Sequence, residues 1–104
     1  MSGTFQGRVA FASIAYVAGA PTFRVQSGDF SPTIIDGGTG DFTLTFASPI
    51  DPTDACICFA SRGATSAPYV AAWTDTTLQV LVKDLSGAAA DRDCDLTILV
   101  KPAN

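Results

Sequence analysis

The chain has 104 residues and a net charge of −4, and charged side chains make up 15% of it, where about 25% is usual for a globular domain. This length supports one domain with a single thin core. The six cations lie far apart, which argues against nucleic acid and anionic lipid as partners, since both need clustered basic residues. The chain shows no secretory signal and no apolar run of membrane-spanning length, so we expect a protein made and used in solution.

Alternation of apolar and polar residues is the dominant pattern along the chain. In residues 42–46 three apolar side chains face one side and two threonines face the other, as in a half-buried strand. All ten acidic residues are Asp, a residue that favours turns. The pattern predicts strands, in chain order, at residues 8–17, 22–26, 33–35, 42–46, 55–60, 69–74, 78–83 and 96–101.

Turns rich in Gly, Pro, Ser and Asp separate these strands at short intervals. Seven to eight short strands with this spacing predict an all-β fold, a small antiparallel β-sandwich or jelly-roll-like domain. The domain spans residues 1–104, with residues 1–7 as a candidate N-terminal arm.

Some apolar side chains fall where a simple sandwich would expose them. Residues 55–60 are apolar on both faces, which predicts cover on both. Leu81 and Leu99 lie on the polar side of their strands, where they can meet a neighbouring subunit. The low charge also favours association, although a monomer with a surface of Ser, Thr, Ala and Gly fits the composition too.

A glycine-rich turn joins the third and fourth predicted strands. Gly37, Gly38 and Gly40 can adopt the positive φ that a tight reversal needs. Asp36 and Asp41 can cap the amides of this loop. By chemistry alone this is an ordinary hairpin.

The same segment, residues 36–46, resembles a pattern of bacteriophage tail-fibre domains, in which a D-x-G-T-G-D-[YF]-T turn leads into an alternating strand that ends in Phe. The flanking strands at 8–14 and 21–25, the Pro-containing turn at 48–52 and the closing strand at 93–100 fit the same pattern. The resemblance implies a non-enzymatic virion surface protein, a homotrimer, assembled in the cytoplasm of a bacterial host.

Two roles follow from the resemblance: a tail-fibre or host-attachment component, and a capsid decoration (cement) protein. The chain begins close to the domain, without the anchor and shaft usual in fibres, which favours decoration, whereas the resemblance itself favours the fibre. Ala55 and Cys56 also replace a Tyr that often follows the Pro-containing turn. The expected partners are sister copies, other capsid or tail proteins and a host surface glycan or protein.

A free-standing carbohydrate-binding module is the alternative from another class. It would be monomeric and would expose a platform of aromatic rings. The best candidate contact residues are Arg62, Tyr69 and Trp73, since Arg and aromatic side chains dominate binding energy at interfaces. Tyr69 and Trp73 fit the core of their strand equally well.

Catalysis, metals and cofactors are not expected. The chain has no His, which removes the commonest general base. Asp51 and Asp54 lie in a Pro-rich turn and are predicted to cap it. Asp91, Asp93 and Asp95 have the spacing of a calcium loop, but Leu96 and Pro102 stand at its Gly and Glu positions, so we predict a solvated loop.

Three cysteines, Cys56, Cys58 and Cys94, are present without a secretory signal. An odd number in a chain of this kind argues against a disulfide framework. A zinc site lacks a fourth ligand. We therefore predict three buried free thiols that pack as small apolar groups.

Overall fold

A computed structural model describes residues 7–28, 32–61 and 66–101. Eight strands and one turn of 3-10 helix, Pro52–Asp54, make up the described fold. In chain order the strands are β1 Arg8–Val17, β2 Ala20–Gly28, β3 Thr33–Gly38, β4 Asp41–Thr45, β5 Ala55–Ser61, β6 Ala67–Trp73, β7 Thr77–Lys83 and β8 Cys94–Val100. The described residues contain no helix of the length and apolar character that a membrane crossing needs.

The strands form two antiparallel four-stranded sheets. The first sheet has the order β2-β1-β8-β5 and the second has the order β3-β4-β7-β6. Three sequence-adjacent pairs, β1–β2, β3–β4 and β6–β7, are hydrogen-bonded neighbours, as short connections favour. The predicted all-β sandwich is confirmed.

The core fills the space between the sheets, and the alternation seen in the sequence is confirmed there. Phe42 and Leu44 on β4 point inward, as do their β7 neighbours Leu78 and Val80. Burial of each such side chain contributes about 1.5–3 kcal/mol. The buried apolar residues are Ala10, Ala12, Ile14, Phe42, Leu44, Phe46, Ile50, Leu78, Val80, Val82, Cys94, Leu96 and Ile98.

The prediction that residues 55–60 are covered on both faces is wrong for this chain. Ile57 and Phe59 pack against the core, whereas Cys56, Cys58 and Ala60 are exposed on the other side of the strand. The reason is topological, because β5 is an edge strand of a sheet whose outer face has no third layer among the described residues.

Positive φ occurs at two of the three predicted turn glycines. Gly38 has φ 117° and Gly40 has φ 61°, and Gly37 is not in this region. Asp36 caps the turn as predicted, since its Oδ1 accepts a hydrogen bond from Gly38 N at 3.0 Å. Asp41 does not cap a loop amide but accepts from Gln79 Nε2 at 3.1 Å. The Cγ of Asp41 would lie only 2.9 Å from a Cβ placed on Gly37.

The loop between β7 and β8 closes over this turn. Gly40 donates its N–H to Asp91 Oδ1 at 2.8 Å, and its carbonyl accepts from Val82 N at 2.8 Å. A Cβ on Gly40 would lie 2.4 Å from the Val82 carbonyl oxygen and 2.8 Å from Ala90 N. Because Gly40 has no side chain, the backbone of the turn and the backbone of the β7–β8 loop can lie in direct contact.

Candidate interaction surface

The outer face of the first sheet carries a row of apolar side chains across three strands. The register places Val9 beside Leu99 and Leu99 beside Cys56. One step along the sheet, Phe11 lies beside Thr97 and Thr97 beside Cys58. We call this set the apolar face; its members are Val9, Phe11, Cys56, Cys58, Ala60, Thr97 and Leu99.

Much of the apolar face is open to solvent. Val9 is 42% exposed, and Cys56, Cys58 and Ala60 are also exposed. Phe11 and Leu99 are half-buried between their neighbours. An uncharged surface of this kind is typical of a contact region on a soluble protein.

Charged groups lie at the two ends of the apolar face and not within it. At one end Lys101 Nζ pairs with Asp54 Oδ1 at 3.2 Å. At the other end Arg24 pairs with Asp93 at 2.7 Å, and Asp95 lies beside Ala60 in the register. This arrangement, an apolar centre with a polar rim, is the usual anatomy of a protein interface.

An open groove of about 330 Å³ lies where the apolar face meets the start of β5. Carbon atoms dominate its walls, and its charged groups are the Lys101–Asp54 pair. The lining residues are Thr53, Asp54, Ala55, Cys56, Leu99 and Lys101.

The outer face of the second sheet is more polar. Thr43 and Gln79 are neighbours at its centre, and Gln79 donates to Asp41. Tyr69 and Leu81 are also neighbours, and Tyr69, with the Lys83 ammonium 5.8 Å from its ring centroid, is 41% exposed. Among the described residues, Tyr69 is the one aromatic residue that is exposed.

The residues predicted to make contacts do not share one surface. Tyr69 and Leu81 lie together on the second sheet, while Leu99 lies on the outer face of the first. Trp73 packs against the core, because the shift in register after Val70 turns it inward. Arg62 lies outside the described residues.

Sequence reasoning missed most of the apolar face. Val9 and Phe11 were assigned only to a strand, and Cys56 and Cys58 were expected to be buried. One signal was present, namely the unbroken apolar composition of residues 55–60. A strand covered on both faces and a strand with one apolar face exposed have this same composition, so the sequence did not distinguish them. Cys94 is buried, as predicted.

The acidic residues act as structural acceptors. Asp51 Oδ1 accepts from the Thr53 hydroxyl at 2.7 Å and from the Thr53 amide at 2.9 Å, and the amide contact caps the 3-10 turn as predicted. These two hydrogen bonds, the hydroxyl first, lower the pKa of Asp51. Asp54 pairs with Lys101. Asp84 Oδ1 accepts from the Ser86 hydroxyl at 2.6 Å, and this hydrogen bond lowers the pKa of Asp84.

Asp91 and Asp93, two of the three aspartates with calcium-loop spacing, bind different partners. Asp91 holds Gly40 N, while Asp93 accepts from Tyr16 N at 3.0 Å and from Arg24 at 2.7 Å. Asp91 and Asp93 therefore tie the loop to the sandwich, where a solvated loop was predicted. The described residues contain no group of three potential metal ligands.

Two buried titratable groups have raised pKa values. Burial, reinforced by Asp95 and then Asp93, raises the pKa of Cys94 to about 12. Burial also raises the pKa of Tyr16, with the Asp91 carboxylate as the next cause. Both groups stay neutral at physiological pH, which makes Cys94 a poor nucleophile.

No known protein family, curated protein or solved structure matches this chain.

Proposed function

We propose that this protein is a non-enzymatic structural module of a bacteriophage virion and that it works as an oligomer on the particle surface. The observation that carries the proposal is the apolar face. Contiguous apolar side chains exposed on a soluble protein often mark a contact with another protein. Packing this face against sister copies removes Val9, Cys56 and Leu99 from water.

The resemblance of the glycine turn and its strand to bacteriophage tail-fibre domains supplies the rest of the proposal. It implies a homotrimer, a place in the virion and assembly in the cytoplasm of the bacterial host. The side-chain chemistry is compatible with this setting, since Cys56, Cys58 and Cys94 are free thiols and the bacterial cytosol keeps thiols reduced.

The second outer face suits a different contact. Tyr69 and Leu81, with Lys83 above the Tyr69 ring, combine an aromatic, an aliphatic and a cationic group. Such a mixture fits another capsid or tail protein or a host surface molecule. In this arrangement the first sheet faces sister copies and the second faces other partners.

Oligomeric mass tests the structural part of the proposal. The reduced chain at micromolar concentration, measured by size-exclusion chromatography with light scattering, is expected to have a mass that is a multiple of 10.7 kDa. Val9→Asp places a charge on the apolar face and is expected to lower the mass. Ile35→Asp is the control, because Ile35 is 58% exposed on the second sheet. A monomeric native chain would contradict the proposal and favour the carbohydrate-binding module.

Quantitative mass spectrometry of purified particles from the phage that encodes the chain tests the virion role. Hundreds of copies per particle would assign capsid decoration, and tens would assign a tail fibre. If the chain is made during infection and is missing from the particles, the virion proposal is wrong.

A further inference from the structure

The four edge strands of the sandwich differ in how they are protected from pairing with other strands. Proteins usually blunt a free edge with Pro, a charge, a bulge or a short strand. β2 carries Pro21 and Arg24, and its pairing with β1 shifts register at Ser13 and Ile14. β3 carries Asp36 and shifts register there. β6 carries Pro68 and shifts register after Val70.

β5 has none of these devices. Its sequence, Ala-Cys-Ile-Cys-Phe-Ala-Ser, contains no charge, no Pro and no Gly. It pairs with β8 through all seven residues without a shift in register. A flat, regular, uncharged edge is the kind of edge on which a further strand can pair.

The hydrogen bonding at the start of β5 shows which of its backbone groups face outward. Lys101 N donates to Asp54 O at 2.8 Å, so the backbone groups of residue 54 point toward β8. Along an antiparallel strand this direction alternates with each residue. Cys56, Cys58 and Ala60 therefore also point toward β8, and four residues point to the free edge: Ala55, Ile57, Phe59 and Ser61.

We propose that β5 pairs antiparallel with β5 of a second copy of this chain, across a two-fold axis that passes beside Cys58. This register uses the whole strand. Ala55 then lies opposite the partner's Ser61, and Ile57 lies opposite the partner's Phe59. Both pairs join residues whose backbone groups face outward, so every pair of this kind exchanges two hydrogen bonds.

A second copy suits this edge better than an unrelated strand. A two-fold contact requires a surface that is complementary to itself, and β5 meets that condition because it has no charge to repel its own image. The two apolar faces become continuous across the axis, and Ile57 and Phe59 of one copy extend the core of the other. The result is one eight-stranded sheet.

The pairing is independent of the virion role and compatible with the proposed homotrimer. A two-fold contact alone gives dimers. Combined with a three-fold contact through the apolar face, it gives six copies.

The register makes a specific statement about the thiols. Cys58 and the partner's Cys58 form a non-hydrogen-bonded pair with Cα atoms about 4.5 Å apart, which is within the range of about 4.4–6.8 Å that a disulfide spans. Cys56 lies opposite the partner's Ala60 and has no thiol in reach. A disulfide between the two Cys58 residues therefore tests this register directly.

Oxidative cross-linking with copper(II) phenanthroline in air tests whether the two Cys58 thiols lie within disulfide distance. Two Cys58 thiols lose two protons and two electrons, which dioxygen accepts, and one S–S bond forms. We expect a covalent dimer on a non-reducing gel for the native chain and for Cys56→Ser, and none for Cys58→Ser. Cross-linking that survives Cys58→Ser, or that is lost in Cys56→Ser, would overturn the register.

A second variant tests the contact without relying on thiol chemistry. Cys58→Lys places two ammonium groups face to face at the axis and touches no core residue, since Cys58 is exposed. Because Cys58 also belongs to the apolar face, the Cys58 cross-link is measured in Val9→Asp as well, which charges that face away from β5. The two-fold contact predicts that the cross-link persists in Val9→Asp, and its loss there would assign the cross-link to the apolar face and overturn the β5 pairing. Val25→Lys is the control, because Val25 is 53% exposed on the opposite edge strand of the same sheet. We expect Cys58→Lys to halve the mass found by light scattering and Val25→Lys to leave it unchanged.

The outcomes separate this proposal from the virion module. A native mass of three copies that Cys58→Lys does not change would overturn the two-fold contact and leave the oligomeric module standing. Equal effects of the two lysine variants would also overturn it, because the contact would then not be specific to β5.

Discussion

Gly40 is the position where the smallest change is expected to have a large effect. Gly40→Ala adds one Cβ in a left-handed residue, φ 61°, and the nearest atoms all belong to backbone: Val82 O at 2.4 Å, Ala90 N at 2.8 Å and Ala90 O at 2.9 Å. Neither backbone segment can move aside as a flexible side chain would. The loop that leads into β8 must shift away from the turn.

The cost has two parts. Left-handed backbone costs a residue with a Cβ about 1–2 kcal/mol. Moving the loop weakens the hydrogen bonds from Val82 N to Gly40 O, from Gly40 N to Asp91 and from Ala90 N to Val82 O, each with a net value of about 0.5–1.5 kcal/mol. We therefore expect Gly40→Ala to lower the free energy of unfolding by about 3–5 kcal/mol, out of a total of about 5–15 kcal/mol for a domain of this kind.

Gly87→Ala is the matched control. Gly87 also has a positive φ, 89°, but nothing lies within 4 Å of its added Cβ, so only the backbone term of about 1–2 kcal/mol applies. Urea unfolding followed by circular dichroism and by the fluorescence of Trp73 measures both variants. Equal losses of stability in the two variants, within about 0.5 kcal/mol, would refute the close approach of the β7–β8 loop to the turn.

Three further predictions concern the same end of the sandwich and the thiols. Because the pKa values of Cys94 and Tyr16 are raised on folding, the unfolded chain releases these protons at lower pH than the folded chain. The free energy of unfolding should therefore fall as pH rises above about 9, by about 1.4 kcal/mol per pH unit for Cys94. Thermal unfolding from pH 7 to 11 measures this, and an identical slope in Cys94→Ala would contradict it. Iodoacetamide labelling of the reduced folded chain, mapped by mass spectrometry, should modify Cys56 and Cys58 and spare Cys94, since a pKa of about 12 against the ordinary 9.0 leaves about a thousandfold less thiolate. Asp91→Ala leaves a turn amide without its acceptor and should cost about 1–3 kcal/mol in urea unfolding, whereas Asp91→Asn keeps an oxygen and should cost less; equal losses would show that the acceptor is not what matters.

The strands could be predicted because alternation is local. A strand with one face in the core must place apolar residues at every second position. The strands at residues 42–46 and 78–83, and the face that each buries, could therefore be predicted from these segments alone. Asp51 and Asp36 were predictable as caps for the same reason, since an Asp side chain reaches amides only a few residues away. The boundaries were less exact, and β2 and β6 extend beyond the predicted segments.

The site was harder to predict because it depends on neighbours. Whether Cys56 and Cys58 are covered depends on whether another layer packs on the outer face of the first sheet, and the layers of a fold result from long-range contacts. For Trp73 the sequence left a contact surface and the core equally open, and one shift of register after Val70 decides that it faces the core. The role of Asp91 required knowing that the β7–β8 loop folds onto Gly40.

The sequence by itself determined that this chain is an all-β sandwich with one thin core and a tight glycine turn, because strand periodicity and turn chemistry act over a few residues. Only the tertiary structure decided that β5 is an edge strand, that the apolar face spans three strands and that an aspartate from a distant loop holds the turn. These features arise where segments far apart in the chain meet, and no local pattern specifies which segments will meet.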